Sequence, residues 1–137
     1  PLARGVGSDG EGPRLQRLQA VPTLDVERGL GFVGHNPALY LRLLPMFVER
    51  HGDDAGLMLH RLQQGDAAGV GHLAHALKAA ADNLGARQVH AAAEALELAA
   101  RGHASTAQLQ GHIQQLAAAL RALLDPLQAA LGADAPA

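Results

Sequence analysis

The chain of 137 residues contains no cysteine and no tryptophan, and its only aromatic side chains are Phe32, Tyr40 and Phe47. The lack of cysteine excludes both a disulfide framework and thiolate metal ligands. Because aromatic rings are so scarce, the core must be aliphatic. The β-branched residues, which favour strands, number only 10. We therefore expect little β-structure.

Charge and hydropathy exclude further classes of function. The 11 basic and 13 acidic residues give a formal net charge of −2 and form no basic stripe, which disfavours nucleic-acid binding. No apolar run approaches the roughly 18 residues that a membrane-spanning helix needs, and no signal peptide is evident. We expect a cytoplasmic protein without direct membrane insertion. Because the chain begins with Pro1 and not Met, we also expect it to be a piece of a longer protein.

Helix-forming residues are abundant. The chain has 29 alanines and 24 leucines, which are among the best helix formers, and Leu–Ala packing suits closely spaced helices. The composition predicts one all-α domain. Its periodicity predicts an antiparallel up-and-down four-helix bundle with a short additional N-terminal helix. The four main helices are predicted over 37–64, 67–84, 87–101 and from about Ser105 to the region of Pro126, where proline would kink or fray the end.

Local signals support these helix boundaries. Asn36 followed by Pro37 is a strong helix start, and Asp66 can cap the next helix. Ser105 with Gln108 resembles a capping box. The stretch 37–64 keeps one apolar phase, which favours one long helix. Glycine and proline within it leave a kink or a break open.

The chain ends are predicted to be less ordered than the bundle. Residues 1–22 contain many glycines and read as a flexible linker. Thr23 can cap a short helix over 24–30. We therefore divide the chain into a linker at 1–22, a bundle at 23–131 and a disordered tail at 132–137.

His75 is the most informative residue, because it lies opposite the core face of its predicted helix. At about 100° per residue, His75 lies roughly 150° from the centre of the apolar stripe of helix 67–84. Lys78 follows one turn later. The other positions of this face are Ala68, Gly71, Ala79 and Asp82, most of which have little or no side chain. Such a bare face suggests clearance for an incoming protein surface.

An exposed imidazole beside a lysine suits phosphoryl transfer. A neutral imidazole has a free ring nitrogen that can attack an activated phosphoryl group. A nearby ammonium can balance the charge on the phosphoryl oxygens. Such transfer depends mainly on position and charge. The chain has no phosphate-binding P-loop motif, so we do not expect it to bind ATP or to phosphorylate itself.

The sequence after His75 resembles the signature of histidine-containing phosphotransfer (HPt) domains, which is roughly His-x-x-Lys-Gly-Ser-Ala-x-Asn-Leu-Gly-Ala. The positions that match are His75, Lys78, Ala81, Asn83, Leu84, Gly85 and Ala86, and the likeness extends over about 23–125. Glu94, Leu96 and Glu97 fall where the helix after the signature usually carries such residues. This chain departs from the family signature at two positions. Ala79 stands where the family usually has glycine, and Ala80 stands where serine is common.

The resemblance implies a phosphorelay intermediate in two-component signalling. His75 would accept phosphate from a receiver-domain aspartate and pass it to another receiver, and Lys78 would balance charge. Mg²⁺ would come from the receiver, because the HPt domain has no cofactor or metal of its own. The receiver would dock on Ala68, Gly71, His72, Ala79 and Asp82. The resemblance also implies a monomeric module of a hybrid sensor kinase, cytoplasmic or tethered to the inner membrane through that kinase.

Two other functions stay open. The two alanines after Lys78 would also suit a degenerate HPt-like bundle that docks a partner without phosphotransfer. His72 and His75, three residues apart and roughly 60° around the helix, could share a metal ion. No carboxylate pattern supports such a metal site, and His72 is more simply a polar rim residue.

Overall fold

The protein is all-helical, as the composition predicts. A computed structural model describes the backbone of residues 2–132 and the side chains of residues 11–132. Within that part of the chain there is no β-strand, and only an isolated bridge joins Leu24 and Ala86. The helices are α1 (Leu2–Gln19), α2 (Val26–Phe32), α3 (Pro37–His51), α4 (Asp54–Gln63), α5 (Ala67–Leu84), α6 (Arg87–Arg101) and α7 (Thr106–Gly132).

Four of these helices contact one another in a closed ring. Helix α5 packs against α4 and α6, and α7 packs against the same two helices from the other side. Helix α7 therefore lies diagonally across the bundle from α5. Its buried residues repeat at intervals of three and four and fill the centre, namely Leu109, Ile113, Leu116, Leu120, Leu123, Leu127 and Ala130. Helix α7 continues through Pro126 to Gly132, so the predicted fraying at that proline is wrong.

Three helix starts lie where the sequence predicts them. The Asn36 side chain accepts a hydrogen bond from the Leu39 amide at 3.2 Å, and Asp66 caps α5 in the same way. Ser105 and Gln108 form a reciprocal capping box. These contacts satisfy amides that the first turn of a helix leaves without intrahelical partners.

The predicted long helix over 37–64 is two helices. Helix α3 ends at His51 and α4 begins at Asp54, with Gly52 between them. Glycine is a poor helix former, and a buried pair lies at the break, where His51 Nδ1 is 2.7 Å from Asp54 Oδ2. The break therefore occurs at the glycine, while Pro45 stays inside α3.

The segment 1–22, predicted to be a flexible linker, contains helix α1. Leu18 is fully buried and Val21 nearly so, and both belong to the main hydrophobic core. Arg17 Nε also donates to the Ala130 carbonyl of α7 at 3.0 Å. Tertiary burial therefore stabilises a helix that its glycines disfavour. Of the tail predicted at 132–137, Gly132 ends α7 and the rest lies outside the described residues.

Helix α2 is fastened to the C-terminal end of α5. It begins at Val26 with Asp25 as its cap, so the prediction of a Thr23 cap is wrong. The Asp25 amide donates to the Gly85 carbonyl at 2.7 Å. Gly85 has a φ of +86° and lies so close to the Asp25 carbonyl that a Cβ would overlap it. These contacts join α2 directly to the helix that carries His75.

A buried hydrogen bond strengthens the same junction. The Tyr40 hydroxyl of α3 donates to the Leu84 carbonyl at 2.9 Å, and its burial raises the pKa of Tyr40. Gly29 of α2 packs directly on the Tyr40 ring, where a side chain would not fit.

Within residues 2–132, no helix combines the length and the apolar character that a membrane span requires.

Candidate functional site

His75 lies on the outer face of α5, as its helical phase predicts. Its side chain is 60% exposed. Helix α5 forms where Asp66 caps its first turn and Gly85, with its positive φ, ends it. The apolar stripe of the helix faces the core through Val70, Ala74, Leu77, Ala81 and Leu84. This packing fixes the rotation of the helix and so directs His75 away from the core.

A buried glutamate on the neighbouring helix binds His75. The Nδ1 atom of His75 lies 2.7 Å from Oε2 of Glu97 on α6. The Glu97 side chain is only 3% exposed. The sequence placed Glu97 only by family likeness, and nothing in that placement paired it with His75. A usable signal was present, because Glu97 lies four residues after the core residue Ala93, within the apolar stripe of α6.

Two cations neutralise this carboxylate. Lys78 Nζ lies 2.8 Å from Glu97 Oε1, and Arg101 Nη2 lies 2.7 Å from Glu97 Oε2. The hydrogen bond from Lys78 is the largest cause that holds the pKa of Glu97 below its ordinary value. The hydrogen bond from His75 and the charge of Arg101 act in the same direction, and together they outweigh burial, which alone would raise that pKa. Glu97 is therefore ionised at neutral pH.

The charge on Glu97 determines where the imidazole of His75 carries its proton. An ionised carboxylate can only accept hydrogen bonds, so Nδ1 must be the donor. In the neutral ring the lone pair then belongs to Nε2. Among the described residues no hydrogen bond to Nε2 is found. The arrangement leaves an exposed, unprotonated ring nitrogen that can act as a nucleophile.

Gly71 does not lie on the bare outer face. It is buried, and a Cβ at this position would lie 3.3 Å from the Ala100 Cβ on α6. The glycine therefore allows α5 and α6 to approach closely, and this proximity lets Glu97 reach both His75 and Lys78. Gly71 was expected to give a partner protein clearance on the outer face. Its burial instead shows that the glycine is needed for the packing of α5 against α6.

The remaining residues of the predicted docking face are distributed differently. Ala68, His72 and Ala79 are exposed around His75. Asp82 is partly exposed and pairs with Arg28 of α2, whose Nη2 and Nε lie 2.8 and 3.1 Å from Asp82 Oδ1. The face therefore has bare positions beside His75 and an ion pair two turns further along α5.

For the part of the chain that it describes, the structure adds no further ligand for a metal ion shared by His72 and His75. Within residues 11–132, no three His, Cys, Asp or Glu side chains come together in a way that could hold a metal. His72 and His75 alone are an incomplete set for zinc, which takes at least three protein ligands. Nδ1 of His75 is also occupied by Glu97.

Comparison with known proteins identifies one family. The model of the Hpt domain family matches residues 42–130, well over half of the chain. No curated protein and no solved structure matches. The matched region contains His75, Lys78, Glu97 and Arg101, whereas α1, α2 and the first turn of α3 precede it.

Proposed function

Because this chain belongs to the family of Hpt domains, we propose that His75 is its phosphorylated residue. Hpt domains are phosphocarrier modules of two-component phosphorelays and interact with receiver domains. In this proposal His75 accepts a phosphoryl group from the aspartate of one receiver and passes it to the aspartate of another. The observation that carries the proposal is the hydrogen bond between His75 and Glu97, which leaves Nε2 free.

The proposed transfer step needs no proton movement. Nε2 of His75 attacks phosphorus, the Nε2–P bond forms, and the bond from phosphorus to the aspartate oxygen breaks to release the carboxylate. The imidazole keeps its proton on Nδ1 and becomes cationic, and the Glu97 carboxylate stabilises this charge. Transfer to a second receiver is the same step in reverse. Stabilisation by fixed groups suits a reaction that depends on position and charge.

Lys78 is proposed to balance charge on the phosphoryl group. Its ammonium donates to Glu97 at 2.8 Å and is partly exposed, and an ammonium has three donors. The donors not directed at Glu97 are available for phosphoryl oxygens that arrive at Nε2. We propose that Mg²⁺ is supplied by the receiver, and that the chain itself contributes neither a metal nor ATP binding.

The receiver is proposed to dock over Ala68, His72 and Ala79. These residues are exposed around His75, and two of them have only a methyl group. A partner backbone can therefore approach α5 closely. Asp82 lies at the edge of the same face, bound to Arg28. Gly71 is not included, because it is buried.

We propose that α4, α5, α6 and α7 form an antiparallel four-helix bundle. Two observations support this arrangement. The four helices contact one another in a ring, and successive members are joined by connections of only a few residues, which favours antiparallel neighbours. Helices α2 and α3 pack against α5, whereas α1 packs against α7 and against α2 and α3.

The parent protein, the location and the oligomeric state of the domain stay predictions. We expect the parent protein to be a hybrid sensor kinase and the domain to be cytoplasmic or tethered to the inner membrane. We expect the isolated domain to be monomeric.

A docking module without phosphotransfer is the second candidate. The observation that favours it is the exposed methyl group of Ala79 at the position where the family usually has glycine. A methyl group there would separate the two proteins slightly and lengthen the distance that the phosphoryl group must cross. This candidate predicts receiver binding without labelling of His75.

The test is transfer from receivers that carry radiolabelled aspartyl phosphate. We expect the label to move to the wild-type chain and to a His60→Gln variant, but not to a His75→Gln variant. His60 is the control, because it is an exposed histidine on α4, outside the proposed docking face. Labelling of the His75→Gln variant would contradict the assignment of His75. Absence of transfer from every receiver of the source organism, with binding retained, would support the docking module.

A further inference from the structure

A mixed polar and apolar surface lies beside the C-terminal half of α5. A cleft of about 250 Å³ lies between the end of α2, the C-terminal half of α3 and the C-terminal end of α5. Phe32 and Met46 line it, and both are more than half exposed, at 56% and 57%. A second groove shares Phe32 and Asn83 with this cleft and contains the Arg28–Asp82 ion pair. Two exposed large apolar side chains and an arginine therefore lie on one continuous surface.

This surface lies within reach of any protein that binds at His75. Asp82 follows His75 by seven residues, which places it about 10 Å along the helix and about 20° around it. A standard protein interface covers about 800 Å² of each partner, which corresponds to a disc about 16 Å in radius. A receiver that brings its aspartate to Nε2 of His75 would therefore also cover Arg28 and the edge of the cleft.

The composition of the surface suits recognition better than stability. An exposed ion pair such as Arg28–Asp82 contributes little to the free energy of unfolding. The guanidinium of Arg28 directs both of its hydrogen bonds to one oxygen, Oδ1 of Asp82, so part of it remains available for another carboxylate. Arginine, phenylalanine and methionine are enriched at protein interfaces.

The surface is also rigidly presented. Helix α2 is fixed by the Asp25–Gly85 hydrogen bond and by the close packing of Gly29 on Tyr40. A recognition site on such an element needs little ordering when a partner binds, which favours affinity. Arg28 and Phe32 precede residue 42, where the family match begins.

We infer that Arg28, Phe32 and Met46 form a recognition site that selects the receiver domain, with Arg28 taking a carboxylate of the receiver and the Phe32–Met46 cleft taking an apolar side chain. This inference rests on the proposed function, because the partner is the receiver that docks over His75. Asp82 then acts as the internal carboxylate that holds Arg28 in place while no receiver is bound.

The test measures receiver binding separately from phosphotransfer. Each receiver domain of the source organism is titrated against the His75→Gln variant, which keeps the surface and removes the proposed acceptor. In that background Arg28→Ala is expected to raise the dissociation constant about tenfold, as is the double change Phe32→Ser with Met46→Ser. The control is Arg121→Ala, which removes an exposed arginine from α7, diagonally opposite α5.

A comparison of the two ion-pair partners distinguishes recognition from a structural role. Both Arg28→Ala and Asp82→Asn break the pair, but the second frees Arg28 for the receiver. We expect Asp82→Asn to lower the dissociation constant about twofold. An equal rise of the dissociation constant in both variants would show that the pair acts structurally and would overturn the inference. Wild-type affinity in Arg28→Ala would also overturn it, and so would the failure of every receiver to bind. If a receiver binds through Arg28 but does not phosphorylate the wild-type chain, the proposed function fails and the recognition site stands.

Discussion

His75 Nδ1 and Glu97 Oε2 lie 2.7 Å apart, and this contact joins an exposed side chain on α5 to a buried one on α6. Because Glu97 is ionised and can only accept, the contact fixes the imidazole tautomer and orients the ring. An otherwise ordinary surface histidine thus gains a defined nucleophilic nitrogen.

Replacement of Glu97 by glutamine should slow phosphotransfer to His75 by about 10- to 100-fold. The amide keeps the shape of the side chain but removes the charge that stabilises the cationic phosphoimidazole. Single-turnover kinetics with a phosphorylated receiver measure the effect. Glu94→Gln, an exposed glutamate on the same helix, is the control and should transfer at the wild-type rate. Equal rates in all three proteins would show that the charge of Glu97 does not contribute.

Acid should destabilise the domain partly through Glu97. The pKa of this group is lowered in the folded protein, so its stabilising contribution is present above the ordinary pKa near 4.5 and is lost as the pH falls through the lower folded value. Denaturant unfolding at a series of pH values measures this loss. In Glu97→Gln the decline below the ordinary pKa should be shallower. Parallel pH curves would contradict the prediction.

Enlargement of Gly71 should destabilise the protein although His75 lies nearby on the surface. A leucine there would press on Ala100 across the α5–α6 contact, and overpacking of this kind costs about 1–3 kcal/mol of unfolding free energy. Ala79→Leu is the matched change at an exposed position of the same helix, and its cost should be within about 0.5 kcal/mol of zero. Urea unfolding compares the two. Equal stabilities would show that the α5–α6 contact tolerates a large side chain at position 71 and would contradict the packing reason for this glycine.

Arginine at position 79 should weaken receiver binding without unfolding the bundle. Ala79 is exposed one turn from His75, so a long charged side chain would obstruct the docking face while leaving the core intact. We expect a rise of about tenfold or more in the dissociation constant, with an unchanged thermal midpoint. Wild-type affinity in Ala79→Arg would refute this docking face.

Tyr40→Phe should reduce stability by about 1–3 kcal/mol, because it leaves the buried Leu84 carbonyl without its hydrogen-bond donor. Denaturant unfolding measures this loss. Tyr40 also holds the junction of α2, α3 and α5, so the variant tests how firmly the end of α5 is fixed. No measurable change would mean that water or another donor replaces the hydroxyl.

The sequence predicted those features that depend on local chemistry. The caps at Asn36, Asp66 and Ser105 and the outward direction of His75 follow from side-chain type and helical phase, and the structure confirms each. The linker prediction failed because the glycines of α1 gave the local signal, whereas Leu18 is buried by distant parts of the chain. Tertiary packing of this kind is not encoded in a local pattern.

The candidate site was predictable only in part, because some of its residues lie on one helix and others are brought to it by tertiary packing. His75 and Lys78 share one helix, so their spacing alone places them together. Glu97 and Arg101 lie on another helix, and their contact with His75 depends on the close approach at Gly71 and Ala100. The same approach explains why Gly71 was assigned to the wrong face. Asp82 was expected to contact the receiver, and nothing in the sequence indicated that it also binds Arg28 from α2.

Nuclear magnetic resonance of the phosphorylated domain tests the central claim most directly. Nitrogen and phosphorus spectra identify which histidine carries the phosphoryl group and which ring nitrogen is bonded to phosphorus. The structure predicts one phosphohistidine, at His75, with phosphorus on Nε2 and the proton retained on Nδ1 towards Glu97. Phosphorus on Nδ1 of His75, or on any other histidine of the chain, would contradict it.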